Sequence, residues 1–213
     1  MEQKNILKTG TTTVGIVCKD GVVLAADKRA TAGHLIASKR AKKVEKISDN
    51  IAVTMAGTVS DAQLLIRLVQ SETRLRQMRM GQEVFVKETA NLMARMVYNN
   101  IRKMSMIPGV AHFLMGGRDK DGTHIYEIFA DGSIQHIPDF ISSGSGSVMA
   151  YGVLETMWDA NVTVEQGVDL AIKCINAAIQ RDSASGNGID VITITDKGMK
   201  RVLDKEIVSK IEA

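Results

Sequence analysis

Helical periodicity comes in two separate blocks along this chain, residues 62–102 and 148–181, and the runs before, between and after them read as short strands. In the first block Leu65, Leu68, Val69 and Leu75 fall broadly on one face, with Arg67, Arg74 and Arg76 mostly off it, so a helix is expected over 62–78. Gly81 interrupts the pattern, and Phe85, Leu92, Met93, Met96, Val97 and Ile101 resume it over 83–102, giving an antiparallel helix pair. In the second block a short helix over 148–159 precedes a longer one over 163–181, whose start carries the capping-like Thr163-Val164-Glu165-Gln166.

Strand signals fill the rest. Runs 11–18 and 22–27 flank Lys19-Asp20-Gly21, a hairpin signal. Ile36 and the runs 44–47 and 51–56 follow, the last two separated by the turn-like Ser48-Asp49-Asn50. A second antiparallel sheet is expected from 110–115, 123–129 and 133–137, punctuated by Asp-Gly turns. The chain closes with strands over 189–195 and 199–203 and a terminal helix over 205–211. Strands, two helices, strands, two helices, strands is an order that packs as two antiparallel sheets face to face with a helix layer outside each, an α+β, four-layer αββα sandwich. At 213 residues this is one domain, without internal repeat or linker.

Composition removes several function classes. No stretch approaches the roughly 20 apolar residues of a membrane span. The net charge of +3 and the basic cluster Lys39-Arg40, Lys42-Lys43, without interleaved aromatics, do not mark a nucleic-acid binder. Cys18 and Cys174 stand alone, and His34, His112, His124 and His136 are scattered singly, so neither a disulfide framework nor a metal site is expected, and no cofactor. A reducing cytoplasm suits such a chain. Residues 1–10, with Glu2, Lys4 and Lys8 around Ile6-Leu7, lack the apolar core of a secretion signal and read as a leader, leaving 11–213 as the working domain.

The junction Gly10-Thr11-Thr12-Thr13 gives that division a chemical meaning. An N-terminal threonine carries a nucleophile and a base on one residue, because its α-amine, with a pKa of about 7.7–8.0, can take the hydroxyl proton. Gly10, lacking Cβ, lets the hydroxyl approach the carbonyl it must attack to free itself. Taken alone, the same residues are also just the polar start of a strand. Lys43 alone would be a surface residue of a basic run, and Asp182 to Gly186 a turn after a helix.

Taken in order, these motifs say more. Thr11-Thr12-Thr13-Val14-Gly15-Ile16, Asp27 with Arg29, Lys42-Lys43, Met55 to Gln63 around Gly57, Gly144 to Glu155, and Gln180 to Gly186 together resemble the proteasome β-subunit family, most closely its archaeal type. The resemblance covers nearly the whole chain after residue 10. It implies the Ntn-hydrolase fold, which has the αββα architecture, and a threonine-type endopeptidase formed by self-cleavage between Gly10 and Thr11.

By that resemblance Thr11 is the nucleophile and Lys43 the charge that favours its alkoxide, with Asp27 holding the lysine charged and oriented. Gly57 offers its N–H to the oxyanion, and Ser145, Asp182 and Ser185 surround the terminal amine. Ala30, Ala41, Glu45, Met55 and Val59 line the pocket for the side chain before the scissile bond. Four of these are apolar, so cleavage after large apolar residues is expected, with Glu45 at the rim adding tolerance of basic ones unless it turns to water or to Lys46. The resemblance further implies a seven-membered β ring stacked on a second, α-subunit rings capping both, a regulatory ATPase feeding unfolded polypeptides, and no nucleic-acid or membrane partner. A non-catalytic ring subunit and an Ntn amidohydrolase acting on a small amide remain the other readings.

Overall fold

The computed structural model describes residues 10–106 and 108–207. In chain order the elements are β1 (Thr12–Cys18), β2 (Gly21–Asp27), β3 (Ala30–Ala32), β4 (Leu35–Ser38), β5 (Val44–Ser48), β6 (Ile51–Gly57), α1 (Val59–Met80), α2 (Val86–Ile101), β7 (Ala111–Asp119), β8 (Gly122–Ile128), β9 (Ile134–Ile137), β10 (Phe140–Gly144), α3 (Ser147–Met157), α4 (Val164–Arg181), β11 (Gly188–Thr195) and β12 (Gly198–Glu206). One antiparallel sheet has the order β10-β1-β2-β11-β12 and the other β5-β6-β7-β8-β9, while β3 and β4 form a separate hairpin.

Strand β2 shows why its sequence has no polar face. Val22, Leu24 and Ala26 point into the core between the sheets with Leu114, Ile125, Ile192 and Ile194. Val23 and Ala25 point the other way, toward Leu170, Ala171 and Cys174 of α4. A strand covered on both faces reads as a continuous apolar run. A third core joins α1 and α2 to the second sheet, around Val53, Leu65, Val69, Met93, Val97 and Phe113. The result is the four-layer αββα sandwich. No helix among the described residues is long and apolar enough to cross a membrane.

Local signals account for most boundaries. The Thr163 hydroxyl accepts the Gln166 N–H at 3.3 Å while the Gln166 side chain accepts the Thr163 N–H at 3.0 Å, completing the capping box that opens α4. Gly81 ends α1 in the left-handed conformation at φ 65°. Three expectations are corrected. Residues 142–144, for which the sequence gives no strand signal, belong to β10, because β1 supplies the backbone partners that propensity in a Ser- and Gly-rich run does not. Strand β3 was not foreseen. At the other end Lys205 and Glu206 extend β12 instead of opening a helix, and residues 208–211 of that expected helix lie outside the described residues, as do residues 1–9 of the leader.

The register brings chemistry to one end of the sandwich. Thr12 stands opposite Gly144, Thr13 opposite Ala26 and Asp27 opposite Ile189, which gathers the start of β1 and the end of β2 at one edge of the first sheet. Val44 opposite Thr54 and Gly57 opposite Ala111 gather the start of β5 and the end of β6 in the second.

Candidate active site

Asp27 ends β2 with its side chain wholly buried, and every donor around it is accounted for. Oδ1 accepts the Thr12 N–H at 3.0 Å and the Lys43 ammonium at 2.7 Å. Oδ2 accepts the N–H groups of Arg29 and Gly186, each at 2.9 Å. A carboxylate so saturated is a fixed counter-charge and has no lone pair free to take a proton from a substrate. Lys43 is itself buried, and burial pushes its ammonium below the ordinary lysine range against the opposing pull of Asp27.

Thr11 lies beside this pair on the wall of a cleft of about 210 Å³ that Lys43 and Gly57 also line. Its hydroxyl donates to the Gly10 carbonyl at 2.7 Å, so the group that would attack already touches the peptide that would be cut. Its N–H donates to Ser145 Oγ at 3.2 Å, and Ser145 donates onward to Asp182 Oδ2 at 2.6 Å. Ser185 donates to the same oxygen at 2.6 Å. That commits the Ser185 proton, so the 2.6 Å contact between Thr12 Oγ1 and Ser185 Oγ has Thr12 as donor. Asp182 therefore gathers Ser145, which meets the Thr11 nitrogen, and Ser185, which meets the Thr12 hydroxyl; Asp182 and Ser185 lie on a turn that follows α4 and is shaped by Asp182 accepting the Ala184 N–H at 3.1 Å.

The family model described as Proteasome subunit matches residues 7–194. The chain belongs to the proteasome subunit family. Over 203 residues, 95% of each chain, it is 49% identical to the proteasome subunit beta of Ferroglobus placidus. It is 49% identical to that of Archaeoglobus profundus over 95% of this chain and 92% of the relative. With that of Methanosarcina thermophila it shares 46% identity over 99% of this chain and 98% of the relative.

In this member of the proteasome family Gly57 ends β6 at φ 106°, and a Cβ there would collide with the Val110 carbonyl. Met55 N–H points toward β5, to the Lys43 carbonyl at 2.9 Å. Alternation along β6 aims the Gly57 N–H the same way, past the start of β5 and into the cleft. Ala30, Ala41, Met55 and Val59 line that cleft together with Thr31, Ser38, Lys42 and Gln63. Glu45 does not. It stands on β5 opposite Val53, half-buried on the face turned toward α1, and Lys46 is engaged by Asp49 at 2.5 Å instead.

Two contacts were not read from sequence, although Arg29 belongs to the motif set. Thr12, one residue from the nucleophile candidate, bonds through its hydroxyl to a serine 173 residues away. Arg29 clamps the 183–187 turn, donating to the Ser183 carbonyl at 2.7 Å and to Asn187 Oδ1 at 2.8 Å. No local pattern announces either contact, since both depend on the tertiary return of the chain after α4.

Proposed function

We propose that the chain is the proteolytic β subunit of a proteasome core particle, a threonine-type endopeptidase whose nucleophile is Thr11. The observation that carries this reading is the setting of Thr11, which shares a cleft with Lys43 of the buried Asp27–Lys43 pair and donates its N–H to Ser145 of the Ser145–Asp182–Ser185 cluster. In the first stage the Thr11 hydroxyl oxygen attacks the Gly10 carbonyl carbon and loses its proton. The Gly10–Thr11 C–N bond breaks, the leaving nitrogen takes a proton and becomes the free α-amine, and the leader is held as an ester. Water hydrolyses the ester, and the leader ending in Gly10 departs.

In the mature site the α-amine occupies the place where the Thr11 nitrogen meets Ser145. It takes the hydroxyl proton as Thr11 attacks a substrate carbonyl, and gives that proton to the departing amine. The Lys43 charge favours the developing alkoxide, and the Gly57 N–H faces the oxyanion, a role that can be worth about 3 kcal/mol. Asp27 keeps Lys43 charged despite its burial. Water activated by the same amine then releases the acyl group and restores Thr11.

The β rings, seven subunits each, stack in pairs between α-subunit rings in the cytoplasm, and an ATPase partner delivers unfolded chains. The test is co-expression with an α subunit, followed by N-terminal sequencing and peptide hydrolysis by the assembled particle. Threonine 11 should be the first residue, and Thr11→Ala should be uncut and inactive. A Thr11→Ala particle that hydrolyses peptides at the wild-type rate would remove the reading.

A further inference from the structure

Val44 follows Lys43 and opens β5, an edge strand of the second sheet. Because the neighbouring Lys43 carbonyl accepts the Met55 N–H, the Val44 carbonyl points outward, away from β6. Val44 is fully buried, so this outward carbonyl has neither a strand nor bulk solvent to satisfy it. The donor comes from the other sheet. Arg201 on β12 sends Nη2 to the Val44 carbonyl at 3.0 Å and Nη1 to Asp190 Oδ2 at 2.5 Å.

The backbone is shaped to allow that reach. Val191 pairs with Leu203 and Ile192 with Arg201, leaving Val202 as an extra residue. Without such a bulge Arg201 would share a face with Leu203, which packs against the helix-side core. With it, Arg201 turns into the space between the sheets. Asp190 waits there, its side chain 1% exposed, opposite Ala26 and Asp204. Asp204 pairs with Lys28, the residue after Asp27. The chain neighbours of both Asp27 and Lys43 are thus held by charged groups from β12.

We infer that Arg201, locked by Asp190, is a positioning residue for Lys43: its guanidinium fixes the Val44 carbonyl and so sets where the Lys43 ammonium meets Asp27 and the Thr11 hydroxyl. The inference rests on the proposed role of Lys43. Arg201 does not line the cleft and touches no reacting atom. The groups facing Asp190 are Arg201 and Asp204 from β12 and Lys28, just after β2, and although burial raises its carboxyl to about 6, it is ionised and paired at neutral pH.

The decisive variant is Arg201→Lys in the assembled particle. It leaves a cation for Asp190, but a single ammonium cannot reproduce the planar fork that holds two acceptors at once. On a fluorogenic peptide kcat should fall about tenfold or more while KM and the unfolding temperature stay near wild type, since a small misplacement of a catalytic group acts on the chemical step. Asp190→Asn, which frees the guanidinium to turn, should lower kcat in the same way with KM near wild type. Wild-type kcat in both variants overturns the inference, as does a kcat loss matched by failed assembly or a lowered unfolding temperature in both. If Lys43→Ala keeps its turnover, the proposed role of Lys43 is what fails.

Discussion

Gly10 lies against Ala184 so closely that a Cβ placed on it would overlap the alanine methyl carbon and stand 3.0 Å from Ser145 Oγ. The residue before the nucleophile is therefore packed into the turn that carries Asp182 and Ser185. Gly10→Ala must displace either that turn or the scissile carbonyl, and processing should slow by about tenfold or more. Thr11→Ser should still be cut, since a hydroxyl is all the step requires. Intact-mass time courses on the assembled particle would follow both, and wild-type processing of Gly10→Ala would show that this packing does not matter to the cut.

Asp27 cannot be replaced by its amide. Each of its oxygens accepts two donors, so an asparagine must face two of them with its NH₂ group whichever way it turns. It would also strand the Lys43 charge, which for a buried pair costs about 3–5 kcal/mol. Asp27→Asn should lose nearly all turnover and unfold at a clearly lower temperature. Lys43→Arg should fail almost as badly as Lys43→Ala, because the larger planar head cannot occupy the same point. Appreciable peptidase activity in Lys43→Arg would mean that charge alone suffices.

Stability should carry the signature of Asp190. Burial raises its carboxyl from 3.8 to about 6. Between those values the folded chain keeps a proton that the unfolded chain has released, so this group makes the fold less stable as pH rises through that window. The full cost, reached above it, is roughly 3 kcal/mol. Asp190→Asn has no such titration, and its stability relative to wild type should improve by about that amount between pH 4 and pH 7. Thermal or denaturant unfolding across the range measures it, and a constant difference between the two proteins would contradict the assignment.

Cleavage preference should follow the cleft that exists. Its wall is built from Ala30, Ala41, Met55 and Val59, and its charged members are Lys42 and Lys43, with no carboxylate among the described residues that line it. Peptides ending in Tyr or Leu should be cut fastest and those ending in Arg slowest, with Glu between them. Lys42→Glu should exchange the order of Glu and Arg. Turnover after Arg that exceeds turnover after Glu in the wild-type particle would show that Glu45, outside the cleft in this chain, reaches the substrate after all.

Much of the fold could be read before the structure was known, because two helix pairs with periodic faces and strands bounded by Asp-Gly turns leave few ways to bury every apolar surface. What escaped was set by distant partners. Strand β10 exists because β1 pairs with Ser142, Ser143 and Gly144. Thr11, Asp27 and Lys43 could be singled out only as members of an ordered set of motifs, since each is unremarked in its own neighbourhood. The contacts of Thr12, Arg29 and Arg201 were not legible even so, for their partners lie 173, 158 and 157 residues away.

The four donors to Asp27 also bear on when the chain becomes dangerous to itself. They come from β1, from the residue after Lys28, from the start of the second sheet and from Gly186, which leaves the ribosome 159 residues after Asp27. Until that last segment arrives and folds back, the lysine has no complete anchor and the threonine no fixed neighbours. On the proposed mechanism the blade is thus sheathed by synthesis order: a nascent or half-folded chain cannot cut its own leader. A chain stopped before Gly186 should keep that leader in mass spectrometry, whatever partners are supplied.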